Sequence, residues 1–306
     1  MRAMFTLLPD ETIEAGVNRV LSEKVAQTAQ RLASPVEPVD LIIHESRKNL
    51  KRMRAVLRLV AYQPGPHFQA ADELLRYAGR LLAPLRTSVV LVETVLKLEN
   101  GNDGRPLKFP GIHAELADQH QRGLASFHGD GVTLGVATGL LGRASELLSE
   151  IRLPADDLQA LAGGLGRTYR KCQQKLIAAA GSEGDPVAFH AWRKQVKYAW
   201  HQLEMIQLVE PLLLDARIDA WRVLAGVLGD AHDLAELEAS VADLSAAPAS
   251  ERKAVRREAS RARRLLETEA LRLGAPLLAA RPKQYVGELA GLWKDWRRRG
   301  LHKSGG

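Results

Sequence analysis

The chain has 306 residues with a formal net charge of +7, and only 5% of its residues are aromatic. Abundant Leu, Ala, Arg and Glu, with few β-branched residues, predict an all-α fold and argue against sheets, while the basic excess indicates an anionic partner. The one cysteine, Cys172, excludes an internal disulfide and a zinc site built on several thiolates, and we expect it to be an inert packed thiol.

Apolar residues spaced three and four apart predict ten helices, separated by turns rich in Gly, Pro and small polar residues. In chain order these helices span residues 11–33, 38–62, 68–98, 112–128, 132–151, 155–180, 187–209, 215–243, 249–273 and 283–299. The longest weakly polar run, Val132 to Leu141, is too short to cross a bilayer, so membrane insertion is not expected.

An internal repeat links the two halves of the chain. The stretch IHESRKNLKRMRAVLRL, which begins at Ile43, resembles FHAWRKQVKYAWHQLEM, which begins at Phe189, 146 positions later. The same offset aligns LLAPLRTS with VLGDAHDL and places Arg86 opposite His232. Because a helix and the helix that follows it both recur in register, we expect a tandem duplication of a helical unit.

Both repeated helices are divided into a basic side and an apolar side. At 100° per residue, the basic side chains of the first copy fall within about a third of the circumference. They are His44, Arg47, Lys48, Lys51, Arg54 and Arg58, opposite Ile43, Leu50, Met53, Leu57 and Val60. In the second copy the basic side holds His190, Arg193, Lys194, Lys197 and His201, and the apolar side holds Phe189, Trp192, Val196, Ala199 and Leu203.

These basic sides have a structural interpretation and a functional one. Any surface helix turns charge toward solvent, but solvated faces normally mix both signs, whereas this stripe contains almost no carboxylate. Repulsion between like charges at every turn is tolerable if a ligand supplies the opposite charge, and cations about every 5.4 Å suit a linear polyanion better than a single anion. The histidines are expected to add positive charge below about pH 6.5.

With its duplicated His-x-x-Arg-Lys helices, the sequence resembles the conserved histidine α-helical domain family, abbreviated CHAD, nearly from end to end. The motifs that carry this resemblance are HESRKNLKRMR from His44, GRTYRK from Gly166, FHAWRKQVKY from Phe189 and LGDAHD from Leu228. The first copy departs from the family with Arg86-Thr87, where Arg-Asp is common.

This resemblance implies a single CHAD domain over residues 1–306, built from two four-helix-bundle repeats, 1–152 and 153–306, related by pseudo-twofold symmetry around a basic groove or pore. It also implies that the groove binds inorganic polyphosphate without catalysis and without a cofactor. Carried over position by position, the ligand contacts are His44, Arg47, Lys48, Lys51, Arg54, His190, Arg193, Lys194 and Lys197, with Arg58, Arg167 and Arg170 as extensions.

A further basic stripe lies on the predicted helix 249–273. Together with His201, its members complete the predicted polyphosphate contacts: Lys253, Arg257, Arg261 and Arg264. Segment 112–151 is poor in cations by comparison, so we expect an uneven groove in which the second half binds more tightly. The expected location is the cytoplasm, and association with polyphosphate granules is left open.

Three alternatives to polyphosphate binding stay open. A basic groove also accepts DNA, RNA or other polyanions, although this stripe has no base-stacking aromatic residues. An enzyme acting on phosphate chains needs carboxylates or metal ligands near His44 or His190, and the flanking residues do not form such a set. Histidines spaced by seven and eight residues bind a metal ion only rarely, so we interpret these as surface residues and predict no metal site: His113, His120 and His128.

Two other motifs are interpreted as structural. The glycine-rich run from Gly163 to Gly166 follows no predicted strand and precedes no Lys-Ser/Thr pair, so it indicates close helix packing rather than a nucleotide-binding loop. Trp293 and Trp296 lie beside basic residues at the end of the chain, a pattern that membrane-surface helices share. Docking of a terminal helix is the more common role of such tryptophans, and we favour it here.

Overall fold

The computed structural model describes residues 5–33, 36–60, 66–100, 107–130, 132–153 and 158–301. Within these ranges the chain forms eleven α-helices and no strand, so the predicted all-α class is confirmed. The helices are α1 (Ile13–Ala33), α2 (Val39–Val60), α3 (Pro66–Leu81), α4 (Ala83–Glu99), α5 (Pro110–Asp130), α6 (Val132–Ser149), α7 (Gln159–Ala180), α8 (Pro186–Met205), α9 (Pro211–Ser240), α10 (Ala249–Leu277) and α11 (Pro282–Leu301).

The predicted helix 68–98 is wrong in one respect, since the chain breaks it into α3 and α4. Pro84 lies in the first turn of α4, where its missing N–H leaves no hydrogen bond unmade, whereas inside a continuous helix its ring would clash with the preceding turn. The predicted helix 187–209 also ends early, at Met205, and a 3₁₀ turn occupies Gln207–Val209. The predicted start at residue 155 lies outside the described residues.

Helices α2 and α8 supply the centre of the core with the apolar sides that the sequence predicts. Met53 and Ile43 of α2 and Trp192 and Val196 of α8 are fully buried. Burying one such side chain contributes on the order of 1.5–3 kcal/mol. Because each apolar side is committed to the core, the opposite basic side of each helix is directed away from it.

Helix α7 packs closely against α2 at one glycine. A Cβ added to Gly164 would lie 1.9 Å from the backbone oxygen of Leu59 and 2.5 Å from its carbonyl carbon. Only a residue without a side chain allows the two backbones to approach this closely. The interpretation of the glycine-rich run as a packing motif is therefore confirmed at this position.

Helix α11, the last described helix, docks on the core. Trp293 and Trp296 of α11 are only 4% and 8% exposed and belong to the main apolar cluster. The guanidinium of Arg297 lies 5.2 and 5.7 Å from the centres of their rings. Docking of a terminal helix is thus confirmed, and none of the described helices is long and apolar enough to cross a membrane.

A second, smaller apolar cluster joins α4, α5, α9 and α10 through Val95, Ile112, Leu237 and Val255. This cluster holds α4 beside α9. Elsewhere in the main core, Cys172 is fully buried and burial raises the pKa of its thiol, as expected for an inert packed cysteine. The division of the chain into repeats 1–152 and 153–306 stays a prediction.

Candidate functional site

A cavity of about 410 Å³ lies between α2, α4, α8 and α9. Helices α2 and α8 turn part of their basic sides toward it, while α4 and α9 close it from the other side. The described residues that line this four-helix cavity are His44, Arg47, Lys48, Lys51, Arg86, Thr87, Val90, Leu91, Arg193, Lys197, Trp200, His201, Ala225, Gly226, Gly229, His232, Asp233 and Glu236.

The wall of the four-helix cavity is rich in positive charge. Among the described lining residues, six are Lys or Arg and three are His, against two carboxylates, Asp233 and Glu236. Burial raises the pKa of Asp233, and nearby cations, chiefly Arg193, oppose this shift. Like charges repel more strongly in a partly dehydrated cavity than in water, because they are less screened. The wall is therefore short of negative charge.

The internal repeat places equivalent residues on the same cavity. At an offset of 146 positions, Arg47 corresponds to Arg193 and Lys51 to Lys197, and all four side chains line the wall. Arg86 corresponds in the same way to His232, and both line it as well. At three positions of the sequence repeat, the residues of both copies therefore line the same cavity.

Two equivalent lysines titrate far below the ordinary lysine value of 10.5. Burial, with repulsion from Lys197, Arg193 and other cations, lowers the pKa of Lys51 to about 6. Burial, with repulsion from Arg193, lowers the pKa of Lys197 to about 8. At pH 7 the free protein therefore holds Lys51 mostly neutral and Lys197 mostly charged.

The histidines of the site are held neutral. His190 and His232 face each other with their Nδ1 atoms 3.2 Å apart. Burial and neighbouring cations lower their pKa values to about 4 and about 3, and the same causes lower the pKa of His44. The expected gain of charge below about pH 6.5 is therefore wrong for His190 of the free protein, because burial disfavours the imidazolium.

Two arginines of the wall have hydrogen-bond donors for which no described residue is an acceptor. The Nε atoms of Arg47 and Arg193 are buried without a hydrogen-bond partner among the described residues. One terminal nitrogen of Arg47 donates to the backbone oxygen of Gly79. A buried donor without an acceptor costs about 1–3 kcal/mol, more when it is charged. Such a cost in the free protein is recovered if a bound anion accepts these hydrogen bonds.

Two predicted contacts lie away from the cavity wall. Arg54 and Arg58 continue the basic side of α2, but both pair with Asp72 of α3, with shortest nitrogen to oxygen distances of 2.8 and 2.7 Å. Arg58 also lies 4.4 Å from the ring centre of Tyr198. Their local role is to join α2 to α3 and α8, and their assignment as ligand contacts stays a prediction.

The remaining predicted contacts are spread over several surfaces. His201 lines the cavity, is only 4% exposed and holds Glu204 at 2.8 Å, whereas Lys194 is exposed and lies off the wall. Arg167 is half-buried and Arg170 exposed, both on α7 and off the wall.

The basic stripe of α10 also lies apart from the cavity. Lys253 and Arg257 line a different depression, between α10 and the end of α9, together with Arg252 and Arg256. On the same helix, Arg261 approaches Glu258 and Arg264 donates to Ser260. Helix α9 separates the two sites, because its cavity-lining residue Gly229 and the depression-lining Glu238 are nine positions apart and so point in opposite directions.

The sequence-based site omits one side of the cavity. Arg86 and Thr87 of α4 and His232 and Asp233 of α9 line it, although none was among the predicted contacts. The alignment of Arg86 with His232 across the internal repeat was the available signal. Neither residue belongs to the repeated basic helices, so the basic stripes alone do not indicate them.

Of the three histidines that the sequence places on α5, the structure describes the side chains of His113 and His120, whereas that of His128 lies outside the described residues. His120 is buried, with Nδ1 2.9 Å from the hydroxyl of Ser88 and Nε2 3.1 Å from a carboxylate oxygen of Asp40. Its interpretation as a surface residue is therefore wrong, because α5 packs this face against α4 and the start of α2. Among the described residues, no group of three or more His, Cys, Asp or Glu is placed to hold a metal ion.

The fold and the site together define an all-helical protein with a cation-rich cavity assembled from repeated helices. The CHAD domain family matches residues 20–242, and the chain belongs to this family. A crystal structure of the CHAD domain from the plant Ricinus communis is similar over 99% of this chain and 96% of that one, with 18% identity and a TM-score of 0.60. No curated protein matches the chain.

Proposed function

We propose that this protein binds inorganic polyphosphate in the four-helix cavity without breaking it. The observation that carries this proposal is the pair Arg47 and Arg193, whose buried Nε donors lack an acceptor among the described residues, in a wall where cations outnumber carboxylates. An anionic ligand would satisfy both the donors and the charge. The CHAD domain family is linked in general to polyphosphate, which favours this anion over others.

The distribution of the cations favours an extended anion over a single phosphate. Arg47 and Lys51 are four positions apart, about 6 Å along the axis of α2. Arg193 and Lys197 repeat this spacing on α8, and Arg86 adds a cation from α4. A phosphate chain places charged oxygens at every unit, so it can meet these cations in succession, whereas one phosphate would leave most of them unpaired.

Titration calorimetry with long-chain polyphosphate at two salt concentrations tests this proposal. We expect saturable binding whose affinity falls steeply with salt, because pairing several cations with phosphates releases counterions. A single-stranded RNA competitor is expected to displace polyphosphate poorly, since Trp200 is the one aromatic residue described on the wall and stacking of several bases needs more. Absence of measurable binding, or preference for RNA, would overturn the proposal.

Binding without hydrolysis is the second part of the proposal. The pair best arranged for acid–base chemistry is His201 with Glu204, but His201 is only 4% exposed, which leaves its ring little access to a substrate, and burial lowers its pKa. Incubation with polyphosphate and Mg²⁺ is expected to release no phosphate. Release that disappears in a His201→Gln variant would show instead that the cavity is an active site.

Polyphosphate binding is expected to take up protons at pH 7.5. Lys51, with a pKa of about 6 in the free protein, is mostly neutral there, and Lys197, with a pKa of about 8, is partly so. Phosphate oxygens beside these amines favour the charged forms and raise both pKa values, so affinity should fall as the pH rises from about 6 to 9. Calorimetry in buffers of different ionisation enthalpy should show uptake of about one proton per site.

The lysine variants separate this uptake from other proton changes. Lys51→Met is expected to remove most of it, while Lys175→Met, on the exposed side of α7, leaves it unchanged. Uptake that persists in Lys51→Met would contradict the assignment.

The pH dependence of folding stability has the opposite sign to the pH dependence of binding. The lowered pKa of Lys51 means that the unfolded chain holds more protons than the folded protein above about pH 6, so the free energy of unfolding rises with pH there.

A further inference from the structure

We propose that Lys51 is a modification site, which acyl phosphates acylate without the help of an enzyme. The arginines of the cavity hold the phosphate group while the Lys51 amine attacks the acyl carbon. Nothing in the proposed function requires a covalent step. The proposal uses the same cavity but does not rest on polyphosphate binding, because an acyl phosphate presents its own anion to the wall.

The surroundings of Lys51 set it apart from the other lysines of the wall. Lys48 pairs with Glu45 at 3.2 Å, so its amine is held in an ion pair. The described groups that act most strongly on the Lys51 amine are all cations, namely Lys197, Arg193, Arg47 and Arg86. These neighbours and its half-buried position favour the uncharged amine, with a pKa of about 6. A neutral amine is a nucleophile, whereas an ammonium is not.

The same neighbouring cations are suited to bind the phosphate group of an acyl phosphate. Arg47 and Arg193, whose buried Nε donors lack acceptors among the described residues, line the same cavity as Lys51. Guanidinium groups bind phosphate oxygens through charge-assisted hydrogen bonds. An acyl phosphate bound by these donors would therefore be brought into the cavity where the amine lies.

The reaction balances without an oxidant, a metal ion or a further reactant. The lone pair of Nζ forms a C–N bond to the acyl carbon, the bond from that carbon to the phosphate oxygen breaks, and inorganic phosphate leaves. The amine nitrogen loses a proton to water, and the product is an amide. Charge that develops on the departing phosphate is stabilised by the same guanidinium groups. The amide can no longer be protonated, so acylated Lys51 cannot gain the positive charge that a bound phosphate would otherwise favour.

Acetyl phosphate is the reagent for the test, applied to the unaltered full chain at pH 7.5. Acetylation at each lysine is followed over time by mass spectrometry, with exposed Lys175 and Lys283 as internal controls. An ordinary lysine, with a pKa near 10.4, is almost entirely protonated at this pH, so we expect Lys51 to react about ten-fold faster than either control. Equal rates at the three positions would overturn the proposal.

A neutral donor separates the two parts of the proposal. With p-nitrophenyl acetate, which carries no phosphate, the preference for Lys51 over Lys175 should shrink at least three-fold. The same preference with both donors would overturn the role of the arginines. Polyphosphate is expected to slow acetylation of Lys51 at least ten-fold, and a Lys51-selective reaction without protection would count against the polyphosphate proposal alone.

Discussion

Replacing Arg47 and Arg193 together by glutamine is expected to weaken polyphosphate binding about 100-fold or more while changing stability little. Each guanidinium offers a charged hydrogen bond worth about 1.5–3 kcal/mol to a bound phosphate, and about 1.4 kcal/mol changes affinity ten-fold. In the free protein both groups carry unaccepted Nε donors, which favours their removal, but Arg193 is attracted by Asp233 and Glu236, and Arg47 donates to the backbone oxygen of Gly79. Because these effects oppose each other, the free energy of unfolding should change little.

The control is a double variant with the same change in net charge, Arg122→Gln with Arg272→Gln. These side chains are exposed and pair with Asp118 and Glu269 on their own helices. Exposed pairs of this kind contribute about 0–1 kcal/mol, so stability should change little and affinity should stay within about two-fold. Calorimetry and urea unfolding measure both quantities. An equal loss of affinity in the two double variants would show that binding depends on net charge rather than on the cavity.

Substitution of Gly164 by alanine is expected to destabilise the protein by about 3 kcal/mol or more. The new Cβ would lie 1.9 Å from the backbone oxygen of Leu59, and a backbone atom cannot rotate away as a side chain can. Helices α7 and α2 would have to move apart, which loosens the centre of the core. Overpacking of this kind typically costs about 1–3 kcal/mol, and a clash with the backbone lies at the upper end or beyond.

Gly135→Ala is the matched control for this variant. It adds the same methyl group to an α-helix, but no other atom lies within 4 Å of the added Cβ. Alanine is the better helix former, so this variant should be about 0.5–1 kcal/mol more stable than the unaltered protein. Urea unfolding of both variants provides the comparison. A Gly164→Ala variant as stable as Gly135→Ala would show that the two helices do not pack at this distance.

The local features of this fold were predictable from the sequence. The apolar sides of α2 and α8 are buried as their periodicity indicates, with Met53 and Trp192 fully enclosed. Periodicity works here because a helix repeats every 3.6 residues whatever it packs against. The glycine packing at Gly164 and the docking of Trp293 were predictable for a similar reason, since each motif has one common structural use.

Which residues line the cavity was only partly predictable from the sequence. The sequence treats the basic side of α2 as one stripe, yet the structure directs Arg47 and Lys51 to the cavity and Arg54 to Asp72 of α3. The stripe of α10 has the same composition but lies on the far side of α9. Spacing along one helix cannot distinguish these cases, because the difference depends on which neighbouring helix lies beside each turn.

By itself, the sequence determined the all-helical class, the division of two repeated helices into basic and apolar sides, and the presence of more cations than those helices could neutralise. Only the tertiary structure decided which cations share a cavity, bringing Arg86 and His232 from other helices and burying Lys51 enough to lower its pKa to about 6. The physical reason is the separation along the chain of the residues that determine each property. Helical amphipathicity is set by residues three and four positions apart, whereas dehydration and repulsion depend on groups that only packing brings together.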